Sequence, residues 1–213
     1  MTSTLATTDT ITGQILSEFT GGSTTDVAMM IGIGLVKDSD AVFFRYLGDE
    51  QPAQALSYPS GKPVTRMANV RLNGIEVVDD IGEFKSTKLN LFLESSAGTI
   101  VMLTAGLQTI WSQCVVTALM GLVGEGKLDD AFSLDTWKGT SKMRPCFAAI
   151  RCDDVKMTDQ MTYDLLSDAR GDRDKDKTIA IMRDAIANIK GALTGGPVEE
   201  TVITVDSDAE LPF

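Results

Sequence analysis

Histidine is absent from this 213-residue chain, and that gap removes much of enzyme chemistry. Ser-His-Asp and Cys-His nucleophile systems need an imidazole, and so does every His-containing metal site. Cysteine is scarce: Cys114, Cys146 and Cys152 are odd in number, without any C-x-x-C spacing. A disulfide framework and a four-cysteine zinc site are both excluded, and buried thiols in a reducing compartment are expected. Long apolar runs are missing too. The longest, Val27 to Val36, has ten residues including two glycines, whereas a membrane span needs about 20. The opening MTSTLATTDTIT carries neither a basic n-region nor an apolar h-region. No secretory signal is expected there, and the sequence predicts a soluble cytoplasmic protein with no membrane partner.

Positive charge is also in deficit, with 19 Lys and Arg against 30 Asp and Glu, a net −11. A wholly basic nucleic-acid binder is excluded; a local basic groove is not. The distribution says more than the total. Residues 1–36 hold three acids and no base, and residues 37–156 hold 13 bases and 15 acids. Pro197 to Phe213 (PVEETVITVDSDAELPF) contains five acids and no base, the pattern of a solvated, disordered interaction arm. The opposite excess lies between Trp137 and Cys152 (WKGTSKMRPCFAAIRC), where Lys138, Lys142, Arg144 and Arg151 meet no acid.

Thr2 to Thr25, rich in Thr, Ser and Gly, reads as a mobile arm with at most one short helix. Val27 to Val36 and Ala41 to Leu47 are β-like by content, and Gly48 to Lys62 reads as a loop. From Val64 the period is two: a long strand to Val78 with a bend at Asn73-Gly74, a second over Glu83 to Glu94, and a third over Thr99 to Thr104. The period then changes. Leu107, Ile110, Trp111, Cys114, Val115, Ala118, Leu119 and Leu122 recur at three and four residues, marking an amphipathic helix. Ala131 to Trp137 and Pro145 to Cys152 follow as strands. Three strands, a helix and two strands match the five-stranded OB-fold barrel, with its helix between strands three and four; a generic α+β or mixed-β domain with the same elements is the alternative. The fold class expected is mainly β (α+β), with an extra N-terminal segment and C-terminal helices. Thr158 to Ser167 is a helix candidate, Gly171 to Lys177 a surface charge run, and Ile179, Met182, Ile186, Ile189 and Leu193 form a helix stripe, read as a docking face or an oligomer seam. The domain divisions expected are 1–60 (arm with accessory strands), 61–156 (OB-like nucleic-acid-binding domain), 157–196 (charged helical segment) and 197–213 (disordered acidic tail).

Several motifs resolve to bland readings. Gly121 to Lys127 (GLVGEGK) fits the spacing of a phosphate loop, but a helix precedes it and Leu128 stands where Ser or Thr must hold magnesium. It reads as a helix-terminating loop. Asp79-Asp80, Asp129-Asp130 and Asp153-Asp154 fall at element ends, where Asp suits turn chemistry. No catalytic residue, metal site or cofactor is expected, and the chain is read as a non-enzyme.

The basic stretch is more informative. With residues 131–137 and 145–152 as strands four and five, Lys138 to Arg144 becomes the loop that borders an OB oligonucleotide groove. Single-strand binding needs cations along the phosphates and aromatic faces under the bases. Trp137, Lys138, Lys142, Arg144 and Phe147 supply both, and Arg66, Arg71, Lys85, Lys88 and Phe92 on the first two strands extend the track. The competing reading puts Trp137 and Phe147 in the core and leaves the bases on a solvated loop.

Asp206 to Phe213 (DSDAELPF) is the most specific feature of the chain. It resembles the C-terminal tip of bacterial and phage single-stranded-DNA-binding proteins, in which acidic residues precede a hydrophobic residue, Pro and Phe. The resemblance implies that Leu211, Pro212 and Phe213 dock in a pocket of replication and repair partners, while Asp206, Asp208 and Glu210 meet basic residues around it. About 60 residues precede the predicted barrel, and a charged helical segment stands where that family has a flexible linker. A divergent, phage-type member is therefore expected, in the bacterial cytoplasm or a phage-infected cell, with a homo-oligomer allowed but no tetramer assumed. The function expected is sequence-independent protection of single-stranded DNA in replication, recombination and repair, with partner recruitment by the tail. The alternative is a structural or scaffold protein of phage assembly whose acidic tail only solubilises.

Overall fold

The computed structural model describes residues 27–34, 39–45, 53–81 and 85–195. The N-terminal arm of residues 2–25 and the acidic tail lie outside them. In chain order the elements are β1 (Met29–Ile33), β2 (Phe43–Arg45), β3 (Gln54–Ala55), β4 (Arg66–Ile81), β5 (Ser86–Ser95), β6 (Ile100–Gly106), α1 (Ile110–Gly124), β7 (Phe132–Lys138), β8 (Cys146–Cys152), β9 (Val155–Lys156), α2 (Gln160–Gly171) and α3 (Lys175–Leu193). The order three strands, helix, two strands is present as β4, β5, β6, α1, β7, β8.

These strands belong to one mixed, mostly antiparallel open sheet of nine, ordered β3-β2-β1-β6-β5-β4-β7-β8-β9. A closed five-stranded barrel is not formed. Closure would pair β6 with β8, but β6 instead takes β1 in parallel, with Ile31 opposite Leu103. The physical reason lies in β1 itself. Its five residues, MMIGI, are apolar on both faces, which suits a strand flanked on both sides rather than an edge. The segment expected as an accessory arm thus contributes three strands to the sheet. The stretch read as a loop over 48–62 contains β3, beyond which a Ser57–Pro63 bridge and a 2.9 Å bond from the Val64 N–H to the Leu56 carbonyl curl that edge toward the start of β4.

Alternation decides the faces. Leu89, Leu91 and Leu93 of β5 are fully buried, each side chain contributing about 1.5–3 kcal/mol by leaving water; Lys88, Asn90, Phe92 and Glu94 turn to the other side. The bend expected at Asn73-Gly74 is a register shift between Leu72 and Gly74. It keeps Leu72 and Ile75 both buried, as one inserted residue does.

Helix α1 packs on one face of the sheet, mainly against β8. Thr109 caps it, accepting the Ser112 N–H at 3.2 Å, and Trp111, Val115, Val116, Leu119 and Leu122 are buried in a core cluster with Leu134, Ala148 and Ile150. The Trp111 indole N–H donates to Thr136 Oγ1 at 3.1 Å, so its only polar group is satisfied. The helix ends in paired bonds from Lys127 N–H to the Leu122 carbonyl and from Gly126 N–H to the Val123 carbonyl, a Schellman motif. Residues 121–127 are therefore a helix terminus. Met182, Ile186 and Ile189 of α3 join the same core, so the stripe is a docking face. Arg183 Nη2 fastens α3 to the sheet, donating to both oxygens of Asp79 at 2.6 and 2.7 Å.

Candidate nucleic-acid interface

The β7–β8 hairpin arises from strict alternation. Phe132, Leu134 and Thr136 are buried, so Ser133, Asp135 and Trp137 face away from the core. Trp137 stands opposite Phe147; their ring centroids lie 6.0 Å apart with planes 19° from parallel. Trp137 is 45% exposed, which answers whether its ring belongs to the core: it does not. Gly139 permits the arrangement, because a Cβ there would lie 2.8 Å from Phe147 Cε2. The loop closes through Gly139 N–H to the Pro145 carbonyl and Arg144 N–H to the Ser141 carbonyl. At its tip Lys142 is exposed and Met143 is 85% exposed.

Cations flank the hairpin on β4, on β8 and in its loop, and two acids restrain them. Asp135, two residues before Trp137 on the same face, lies 3.6 Å from Arg66 and 3.5 Å from Arg151. Arg144 pairs with Asp40 at 2.6 Å, and Lys138 donates to the Ser39 carbonyl. The β1–β2 connection is thus strapped to the hairpin; a Cβ on Gly34 would lie 2.7 Å from Cys146 Sγ. The Arg144 hydrogen bond, reinforced by the charges of Arg144 and Lys138, holds the Asp40 carboxyl below its ordinary range. Burial pushes the Cys146 thiol up, opposed by Lys138.

The remaining candidates fall into two groups. Arg71 is exposed on β4 and lines a polar cleft of about 280 Å³ with Asn69 and Glu94. Asn69 also borders a cleft with Ser133, Arg151, Asp153 and Asp154, so an outward track holding Arg71, Arg151, Arg66 and Trp137 is interrupted by the carboxylates of Glu94, Asp135, Asp153 and Asp154. Arg151 belongs to this track although it was not among the expected site residues; its place in the acid-free stretch after Trp137 was the available signal. Lys85 and Lys88 are held apart, whereas Phe92, two residues from Glu94 on the same face of β5, neighbours Arg71 across the β4–β5 pair. Phe92 stands opposite Gly74 and Lys88 opposite Val78. Gly74 lies eight residues beyond Arg66 along β4, roughly 25 Å at strand rise.

Asp153 and Asp154 both have positive φ, 50° and 62°, in the tight turn between β8 and β9, as Asp in turns suggests. No group of three or more potential ligands for a metal ion occurs among the described residues. No helix among them is long and apolar enough to cross a membrane. Asp206, Asp208, Glu210, Leu211, Pro212 and Phe213 lie outside the described residues. Compared with known proteins, the chain matches no family model, no curated protein and no solved structure.

Proposed function

We propose that this chain is a non-enzymatic, sequence-independent single-stranded-DNA-binding protein of phage type, acting in replication, recombination or repair and recruiting partners by its acidic tail. The observation that carries the reading is the outward-facing Trp137–Phe147 pair beside Arg66, Arg151 and the Lys142-bearing loop. A base stacked on an aromatic face contributes about 1–3 kcal/mol, and phosphates follow cations whatever the sequence. The order β4, β5, β6, α1, β7, β8, with β4 shared between β5 and β7, supports reading the β7–β8 loop as the counterpart of the one that borders an oligonucleotide groove in OB-folds.

The test is a fluorescence titration of oligo(dT), oligo(U) and duplex DNA at two salt concentrations. Oligo(dT) affinity that exceeds duplex affinity and falls steeply with salt supports the reading. Absence of single-strand binding at low salt would overturn it in favour of the scaffold alternative.

A further inference from the structure

Helices α1, α2 and α3 share a core cluster with Ile31, Leu91 and Leu103, which places all three on one face of the sheet. The alternating residues on the opposite face form a second apolar row. Met30 stands opposite Met102, and Met102 opposite Phe92. Phe92 in turn faces Gly74, where a Cβ would lie 3.5 Å from its Cδ2. The row thus crosses β1, β6, β5 and β4, which are adjacent in the sheet. Ile100, two residues before Met102, and Phe44, opposite Gly32, belong to the same face. Both are at most 6% exposed, although neither is a member of the helix-side cluster. In the row itself Met30 is 40% exposed, and Met102 and Phe92 are half-buried.

Three kinds of occupant could cover such a row. A nucleic-acid strand suits it poorly, because Arg71 and Lys88 at its margins are matched by Glu94 and Glu76 on the same face. A second copy suits it poorly too: three partly covered side chains fall far short of the roughly 800 Å² per partner of a stable interface. The chain's own N-terminal residues, outside the described ones, suit it well. They run directly into Val27, three residues before Met30. Ile11, Ile15 and Phe19 recur every four residues with Leu16 beside them, the spacing of one apolar helix face, and Gly21-Gly22 ends the pattern. Gly13 and the threonines around it make such a helix weak in isolation, so a surface is needed to hold it.

We infer that residues 10–20 form an amphipathic helix that docks, within the same chain, on the Met30–Met102–Phe92 row. Ile11, Ile15 and Phe19 lie against the two methionines and the phenylalanine, and the sheet becomes the middle of three layers. The connection is long enough. Residues 21–26 extend to roughly 20 Å, whereas Met30 lies roughly 10 Å along β1 from Val27 and Phe92 about 10 Å across two strand spacings. The inference does not depend on the strand-binding reading, whose Trp137–Phe147 pair stands on β7 and β8 outside the row.

Methionine oxidation by dilute hydrogen peroxide, followed by peptide mass, reads this cover on the full chain. Met143, 85% exposed, is the internal reference, and a bare row would let Met30, 40% exposed, oxidise at about half its rate. With the helix docked, Met30 should oxidise about fivefold more slowly than that, at every protein concentration. Ile15→Asp with Phe19→Asp should restore the bare rate while circular dichroism shows the sheet intact. Hydrogen exchange in the wild type needs no variant: amides of residues 14–20 should be protected about tenfold more than those of residues 2–8. Unprotected amides there, or Met30 oxidising equally in wild type and a folded double variant, overturns the inference. Protection of Met30 that fades on dilution gives the row to a second copy, and protection that appears only with oligo(dT) gives it to a strand; either result overturns docking within the chain. Should the double variant fail to fold, exchange and dilution of the wild type decide the matter.

Discussion

The ring of Trp137 stacks on that of Phe147 at 6.0 Å, outside the core, whereas Trp111 is 1% exposed and bonded to Thr136 within it. The two tryptophans should respond oppositely. Trp137→Ala should keep the fold and weaken oligo(dT) binding by about 1–3 kcal/mol. Trp111→Ala should destabilise the protein by about 3–5 kcal/mol. Chemical denaturation beside oligonucleotide titration separates the effects; a Trp137→Ala protein that folds and binds oligo(dT) like wild type would remove the platform from the interface.

Asp135 holds Arg66 and Arg151 at once. The two arginines are largely exposed and Asp135 partly so, so the worth of the pairs to stability is small, while on the proposed reading they lie on the path of the phosphates. Asp135→Asn should release two guanidinium groups and remove a repelling charge. Oligo(dT) affinity should rise several-fold, and the slope of log K against log salt should steepen by up to about 1.4, at about 0.7 per phosphate contact. An unchanged slope would show that these arginines do not meet the backbone of the strand.

Arg144 and Lys138 already hold the Ser39–Asp40 segment, while Lys142 has no ion pair among the described residues. Lys142→Glu should therefore reduce the salt slope by about 0.7 without touching the strap. Asp40 gives the strap a pH signature. Its folded pKa lies below the ordinary 3.8, so the pairing contributes fully above that value and is lost as pH falls through the lowered one. Trp137 fluorescence should be flat from pH 7 to 5 and change only below about 4. In Asp40→Asn that transition should be missing; identical titrations would mean that the pairing does not form in solution.

Local pattern carried much of this architecture. The alternation Leu89, Leu91, Leu93 and the stripe Met182, Ile186, Ile189 each declared a buried face, because burial acts on every second or every third to fourth residue. Pairing partners are non-local and left no such mark. Nothing in Gln54-Ala55 announces β3, and nothing in MMIGI says that it lies parallel to β6 and leaves the barrel open. The site divides in the same way. Trp137 and Phe147 share a hairpin, which aligns its own strands, but Lys88 pairs with Val78, twelve residues beyond Arg66 along β4 and roughly 40 Å away at strand rise. Asp135 sits between Leu134 and Thr136 with no local hint that it reaches an arginine on each neighbouring strand.

The tail separates strand binder from scaffold most sharply. Asp206 to Phe213 is too acidic to follow phosphates and too poor in apolar residues to complete a core, so removing it should not lower stability. Truncation should leave oligo(dT) affinity equal or higher, because Asp206, Asp208 and Glu210 repel the strand and compete for the same cations. Phe213→Ala keeps those charges and should change affinity little. Both changes should nevertheless abolish recruitment of replication or repair proteins, since the aromatic anchor is gone. Reciprocal pull-downs with wild-type and Phe213→Ala protein, each loaded with single-stranded DNA, read this directly. Retention of the same replication and repair proteins by both would reduce the likeness of Leu211-Pro212-Phe213 to a docking tip to coincidence and strengthen the scaffold alternative.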